Sequence, residues 1–283
     1  MTTSLTITGT GCPIPDADRA GPGVLVRYND LTLQFDAGRG TVMRLTAAGV
    51  PIPELSAMFI THHHSDHLTG LEDLVLTYWV MDRLDNRPPL PVVAVKGPAS
   101  EYVESMLEPW EKDLEVRRAH TNRAARPIFA LTAFDIPDAP TEVWKSGDVS
   151  VKAGQVRHEP CPMSVGYRVD TPDGSVAITG DTRVCDEVAA LAEGVDVLVY
   201  EAMRFDYFDD LPEHRRFVRD YHADTRLIGA QAAALDVPKL VLTHLIPPPK
   251  TAEAKALFVD EVREGGYQGE IVVADDLYTC DVG

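Results

Sequence analysis

Apolar residues along the chain gather into short runs, each closed by glycine, proline or a polar cluster, and that rhythm predicts strands linked by turns. The runs fall at Leu5–Thr8, Val24–Arg27, Leu31–Phe35, Ala57–Ile60, Val92–Val95, Val149–Ala153, Ser164–Val169, Val176–Thr179, Val195–Tyr200, Lys239–Thr243 and Ile271–Val273. Apolar positions at helical spacing predict helices over Gly40–Ala48, His67–Leu84, Ala99–Glu108, Ala223–Leu235 and Thr251–Glu264. Strands come first and helices return in both halves, so the fold class is α/β. No Ser/Gly-rich linker, charge block or internal repeat divides the 283 residues, and residues 1–283 read as a single domain.

Several of these runs end in metal-ligand residue types. Directly after Ala57–Ile60 comes Thr61-His62-His63-His64-Ser65-Asp66-His67, which places His62, His64, Asp66 and His67 at the tip of one strand. Alternate positions His62 and His64 project to one side of an extended chain, so two imidazoles converge without a helix. Asp66 and His67 point elsewhere as the backbone turns into the next helix, which suggests a second metal close by. A surface histidine run or a purification-tag remnant is the bland alternative, but a tag sits at a terminus and lacks the aspartate. The other run ends carry Asp181 after Gly180, His244 after Thr243, and His158 after Arg157. Singly each is ordinary, since Gly-Asp is a common turn and a histidine after a strand is commonly hydrogen-bonded scaffold. Jointly they are hard to ascribe to coincidence.

With these residues in place the chain resembles the metallo-β-lactamase superfamily, whose signature His-x-His-x-Asp-His is met by His62, His64, Asp66 and His67. Within it the chain is most similar to the tRNase Z branch and its small-molecule hydrolase relatives. That narrower likeness rests on Gly9-Thr10-Gly11, Phe35-Asp36-Ala37-Gly38-Arg39-Gly40, Glu201-Ala202, and His222 upstream of Thr243-His244-Leu245. The resemblance implies a four-layer αβ/βα metallo-β-lactamase sandwich with the metal site along one edge, between the sheets. It also implies a ligand set: His62, His64 and His158 for one metal, Asp66, His67 and His244 for the other, and Asp181 bridging. Two Zn2+ ions are expected, because zinc is redox-silent and the first set is three imidazoles; Mn2+ and Fe2+ also fit mixed nitrogen and oxygen donors. A water shared by two dications is acidified toward neutrality, so the implied activity is metal-dependent hydrolysis by a bridging hydroxide.

The catalytic residues implied are Asp66, His222 and Glu201. The family position matched by His222 protonates the leaving group with Glu201 as its acidic partner, although Ala223-Asp224-Thr225 departs from the Ser-Thr that usually follows that histidine. The alternative role for His222 is to cap the helix Ala223–Leu235. His63 reads as scaffold, and His120 and His214 as solvent-exposed.

Charge sets the expectation for the substrate. The chain carries 26 Lys and Arg against 44 Asp and Glu, a formal charge of −18, so its mean field repels nucleic acid. The most basic stretch, Arg117 to Arg126 with Arg118 and Arg123 inside it, follows Glu108, Glu111, Asp113 and Glu115 and reads as a solvated helix end. It lacks the Gly-rich character of the basic arm that tRNase Z usually carries. The expected partner is therefore a small molecule, with no nucleic acid and no membrane, and the bond an ester, lactone, cyclic amide or phosphodiester. A tRNA 3′-processing endonuclease (ribonuclease Z) is the alternative, a catalytically silent binding scaffold the third reading, and a homodimer stays open. Tyr78, Trp79 and Met81, the segment Glu159 to Met163, and the lid-length stretch Phe205 to Tyr221 are candidates for the pocket wall. Tyr78 and Trp79 read first as core, and Arg183, Arg204 and Lys250 are placed to meet a carboxylate or phosphate.

The N-terminal residues lack a basic region followed by an apolar core, and no stretch has the length to span a bilayer. Cys12, Cys161, Cys185 and Cys280 are scattered without Cys-x-x-Cys spacing, which predicts free thiols in a reducing compartment and a cytoplasmic protein.

Overall fold

The computed structural model describes residues 2–82, 87–123, 128–209 and 211–283, arranged as two seven-stranded sheets packed face to face. The first sheet takes β1 (Thr3–Gly9), β2 (Gly23–Tyr28), β3 (Leu31–Phe35), β4 (Ala57–Ile60), β5 (Leu90–Val95) and β6 (Phe129–Phe134). The second takes β7 (Thr141–Ser146), β8 (Val149–Gln155), β9 (Val165–Thr171), β10 (Gly174–Ile178), β11 (Val197–Met203), β12 (Lys239–Ile246) and β13 (Glu270–Val273). A last strand, β14 (Thr279–Val282), returns to the first sheet and pairs with β1. Each sheet changes from antiparallel to parallel pairing partway across: β3, β4, β5 and β6 run parallel in the first, and β10, β11, β12 and β13 in the second.

Side-chain alternation along the strands builds the layers. In β4, Ala57 and Phe59 face the opposite sheet, whereas Met58 and Ile60 face outward to the helices. Those helices are α1 (Thr41–Ala47), α2 (Ser65–Leu68), α3 (Leu71–Met81), α4 (Pro98–Ser105) and α5 (Glu111–Thr121); the second sheet is covered by α6 (Asp186–Ala192), α7 (Thr225–Ala234) and α8 (Ala252–Glu264). Between the sheets Phe35 stacks on Phe59 at 4.7 Å, and Tyr167 of the other sheet meets both rings at 5.5 Å. The Tyr167 hydroxyl donates to the Ile60 carbonyl (2.7 Å) and the Val165 amide to the Thr61 carbonyl (3.0 Å), so the sheets are pinned together where β4 gives way to the histidine run. The αβ/βα layering expected from the sequence is the observed one.

The strands absent from the sequence reading are β6, β7 and β14. Each is an edge strand with mostly half-exposed or exposed positions, so it lacks the continuous apolar run that marked the interior strands. The single helix expected over His67–Leu84 is two. It breaks at Gly70, where a Cβ would lie 2.2 Å from the Gly38 carbonyl oxygen, so only glycine lets α2 sit this close to the turn after β3. Leu84 lies outside the described residues. Helix α6 was unforeseen, and α5 was anticipated only as a helix end at Arg117. Among the described residues no helix is long and apolar enough to cross a membrane, and all four cysteines are free thiols.

Candidate active site

The ends of parallel strands from both sheets converge on one cluster. β4 runs out at Ile60 and His64, itself extended, immediately precedes α2, so His62 and His64 leave the strand together while Asp66 and His67 are turned inward by the helix. Asp181 follows β10 through Gly180, whose φ is 61°; a Cβ there would meet the Thr61 Cβ at 2.8 Å, so glycine brings Asp181 against the His62 strand. His244 lies within β12 at φ 46°, beside the register shift between Glu201 and Ala202 of β11, which swings its ring into the cluster. His158 comes from the loop after β8. All seven are buried except His64, which is partly exposed.

Their donor atoms form adjoining sets. One ligand atom each from His62, His64, His158 and Asp181 lies within 4.8 Å of the others, as do atoms of Asp66, His67 and His244. Asp181 reaches both sets: its Oδ2 is 3.9 Å from His62 Nε2, 3.8 Å from His158 Nε2 and 3.4 Å from His244 Nε2, while Oδ1 is 3.3 Å from His67 Nε2. Asp66 Oδ2 is 3.3 Å from His244 Nε2 and 3.7 Å from His67 Nε2. His64 differs in presenting Nδ1, 3.1 Å from His158 Nε2. The structure thus brings together every residue expected to hold metal, in the two groups expected, with Asp181 between them.

The outward nitrogens of three of these rings, His62, His67 and His158, are held by partners the sequence reading missed. His67 Nδ1 lies 2.7 Å from Asp36 Oδ2, and Asp36 also accepts from the Thr61 amide (2.9 Å) and hydroxyl (2.8 Å). His158 Nδ1 donates to the Tyr221 carbonyl at 2.8 Å, and His62 Nδ1 meets the Thr61 hydroxyl at 3.0 Å. Such contacts fix ring orientation and raise ligand basicity. The one sign in the sequence was an aspartate straight after β3; the Tyr221 contact is a backbone carbonyl and leaves no trace in residue type. Cys161 Sγ lies 3.1 Å from His63 Nδ1, which ties the His158 loop to the histidine run and gives His63 the scaffold role expected of it.

Protonation suits a divalent cation at every ligand with a shifted pKa but His67. Burial pushes His62 and His64 below the usual imidazole range and His158 down to about 4, so all three are neutral with lone pairs available. Burial opposes the charge on His67 too, but Asp181 and Asp36 hold its pKa well above the usual value, while for Asp66 and Asp181 burial is outweighed by the neighbouring histidines and both stay ionised. His62 Nε2, His67 Nε2 and Asp181 Oδ1 are buried without a hydrogen-bond partner. Orphaned buried polar atoms are costly, and several aimed at one another fit a cation bound among them. Imidazole with carboxylate is the donor mixture that borderline divalent ions take.

Glu201 and His222 form a separate buried pair at the rim, His222 Nδ1 to Glu201 Oε1, 2.8 Å. Glu201 Oε1 also accepts from the Thr182 amide at 3.0 Å. Burial alone would lower the His222 pKa, but the Glu201 charge and hydrogen bond lift it to about 9. A His222 ring atom lies within 4.8 Å of ligand atoms of Asp181 and His244. His222 does not cap α7: that cap is Asp224, whose side chain accepts from the Arg226 and Leu227 amides.

Other expectations fare differently. Tyr78 and Trp79 are buried in the helical layer, Trp79 under the Arg123 guanidinium, and only Met81 is exposed. Arg204 is paired with buried Glu261, and Lys250 with Asp16, so neither is a free anion receptor; Arg183 stands 3.8 Å from Glu159. In the basic stretch Arg117 pairs with Asp113, Arg123 donates to the Trp79 and Asp82 carbonyls, and Arg126 lies outside the described residues. Phe205 to Tyr221 does reach the cluster, through Tyr221.

Residues 32–245 match the model of the β-lactamase superfamily domain. The chain is 35% identical over 282 residues to the ribonuclease Z of Mycolicibacterium gilvum (strain PYR-GCK), covering 98% of this chain and 96% of that protein. The ribonuclease Z of Mycobacterium bovis (strain BCG / Pasteur 1173P2) is likewise 35% identical, with 98% of each covered. Among solved structures the fold is similar to the metallo-β-lactamase fold protein YhfI from Bacillus subtilis (TM-score 0.76, 19% identity, 99% of this chain and 100% of that one). Human tRNase Z, short form, is also similar (TM-score 0.72, 20% identity, 99% of each chain). The expectation of a small-molecule partner and no nucleic acid is thereby corrected, because relatives at this identity and coverage are named as ribonucleases. Net charge misled because it sums the whole surface, whereas a bound ligand responds to charges within about one Debye length, about 8 Å at physiological salt.

Proposed function

The chain belongs to the β-lactamase superfamily as a hydrolase, and from that premise we propose that it is a ribonuclease Z, an endonuclease that trims the 3′ end of tRNA precursors. The observation that carries this reading is the likeness to ribonuclease Z chains along nearly the whole length, 98% of this chain. The site supports it: a phosphodiester is cleaved by delivering water to phosphorus while the departing ribose oxygen takes up a proton, and both needs have candidate groups here.

His62, His64 and His158 would hold one divalent ion, Asp66, His67 and His244 a second, with Asp181 shared. Ions bound there supply positive charge to the phosphoryl oxygens and lower the pKa of water. The protein's own groups do the rest. Asp36 fixes the His67 ring through Nδ1, and the Tyr221 carbonyl fixes His158. His222, held charged by Glu201, offers the proton from Nε2, the nitrogen that Glu201 leaves free, to the leaving oxygen. Glu201 is the positioning residue of that pair.

The deciding experiment gives the zinc-reconstituted protein a precursor tRNA bearing a 3′ trailer. Cleavage at the mature 3′ end, abolished by chelator and restored by metal, is expected. Protein that retains metal and hydrolyses bis(p-nitrophenyl) phosphate yet leaves the precursor intact would overturn the assignment.

A further inference from the structure

The segment between β11 and His222 exposes aromatic rings in a way that the fold does not require. Among the described residues the exposed large aromatic side chains are Trp110, Tyr207 and Phe217, and the last two lie in this one segment, at 49% and 57% exposure. Its other apolar residues turn inward: Phe208 is buried with Cys12, Met203 and Ile246, and Phe205, Leu211 and Val218 pack against them. The base of the segment is held firmly. Arg219 lies over the Phe205 ring at 5.3 Å and pairs with Asp209, and Arg216 donates to the Leu211 and Asp209 carbonyls. Phe217 is therefore displayed on a built support.

The displayed ring leads to the chemistry. Phe217 and Tyr221 are 6.2 Å apart between centroids, and Tyr221 lies 4.8 Å from the His222 ring and 5.3 Å from that of His158. Two ring contacts thus connect solvent to the proton donor. Arg215, two residues before Phe217, makes no ion pair among the described residues.

We propose that Phe217 and Tyr221 form a stacking platform for the unpaired nucleobases that flank the scissile phosphodiester, with Arg215 beside it for a phosphate. The proposal rests on the ribonuclease reading and deepens it. A chain of net charge −18 is poorly suited to gripping RNA by phosphate neutralisation alone. Stacking is nearly indifferent to net charge and tolerant of sequence, because every base presents a π face. The bases must be unpaired, since in an RNA duplex their faces cover one another.

The test uses the metal-loaded protein and, as a probe that cannot be cut, a tRNA ending at the cleavage point with 2-aminopurine as its terminal base. Wild type should quench the fluorescence, Phe217→Ala should quench far less, and Phe217→Trp should restore it. On the precursor, Phe217→Ala should raise KM about tenfold, with kcat and bound metal little altered. Equal quenching by wild type and Phe217→Ala, or an absence of quenching by wild type, overturns the platform. Quenching by a wild type that does not cleave the precursor overturns the ribonuclease reading and leaves the platform supported.

Discussion

Glu201 Oε1 sits 2.8 Å from His222 Nδ1 with both side chains buried, which leaves Nε2 as the nitrogen free to exchange a proton with a substrate. His222→Ala should therefore keep its metal and lose roughly two to four orders of magnitude in turnover on RNA, whose ribose leaving group is basic. Substrates with an acidic phenol leaving group should lose much less, and Glu201→Gln should show a weaker form of the same pattern. The acid form of His222 is the active one, so turnover should fall as pH rises through its pKa. Equal losses on both substrate types, with metal retained, would remove the proton-donor role.

Metal content should follow the ligand set. Elemental analysis is expected to find two ions per chain after zinc reconstitution and almost none in a His62→Ala/His244→Ala variant. Because Asp181 and Asp36 keep a proton on His67 in the metal-free protein, binding must expel it, and affinity should weaken as pH falls. Chelator competition at several pH values measures this; an affinity independent of pH contradicts it.

Asp36 should matter nearly as much as a ligand. Its φ of 56° is one that asparagine also adopts readily, so Asp36→Asn preserves the turn while removing the charge opposite His67. Zinc affinity should drop by about 10- to 100-fold with little change in Tm. A wild-type affinity in the variant would show that the His67–Asp36 contact does not tune the site.

Gly70→Ala should be destabilising by on the order of 3 kcal/mol, since its Cβ would lie 2.2 Å from the Gly38 carbonyl oxygen, and backbone must move to admit it. Asp66 and His67 ride on the helix just before this point, so metal affinity should fall together with the urea midpoint. An unshifted midpoint would mean that the break between α2 and α3 has another cause.

The candidate ligands were legible because each stands at or next to the end of an apolar run, and His62 to His67 pack four of them into one contiguous motif. Asp36 reads in sequence only as part of a turn, since its role depends on His67 arriving from another element, and the Tyr221 carbonyl is a group every residue possesses. β6, β7 and β14 escaped notice because an edge strand is spared the burial that writes hydrophobic pattern into sequence. The substrate expectation came from a global sum of charge, whereas its correction came from likeness to ribonuclease Z chains along nearly the whole sequence, which no charge count records.

Thr3 of β1 and Val282 of β14 are partners in one ladder, so the first and last strands of the fold lie side by side. A short linker between them would allow the chain to be cut elsewhere, for instance at the Gly147 turn between β7 and β8. In such a permuted molecule the ribosome would deliver His158, Asp181 and His244 before His62, His64, Asp66 and His67. The candidate ligand cluster follows from which strand ends meet in the fold, not from the order in which the chain supplies them.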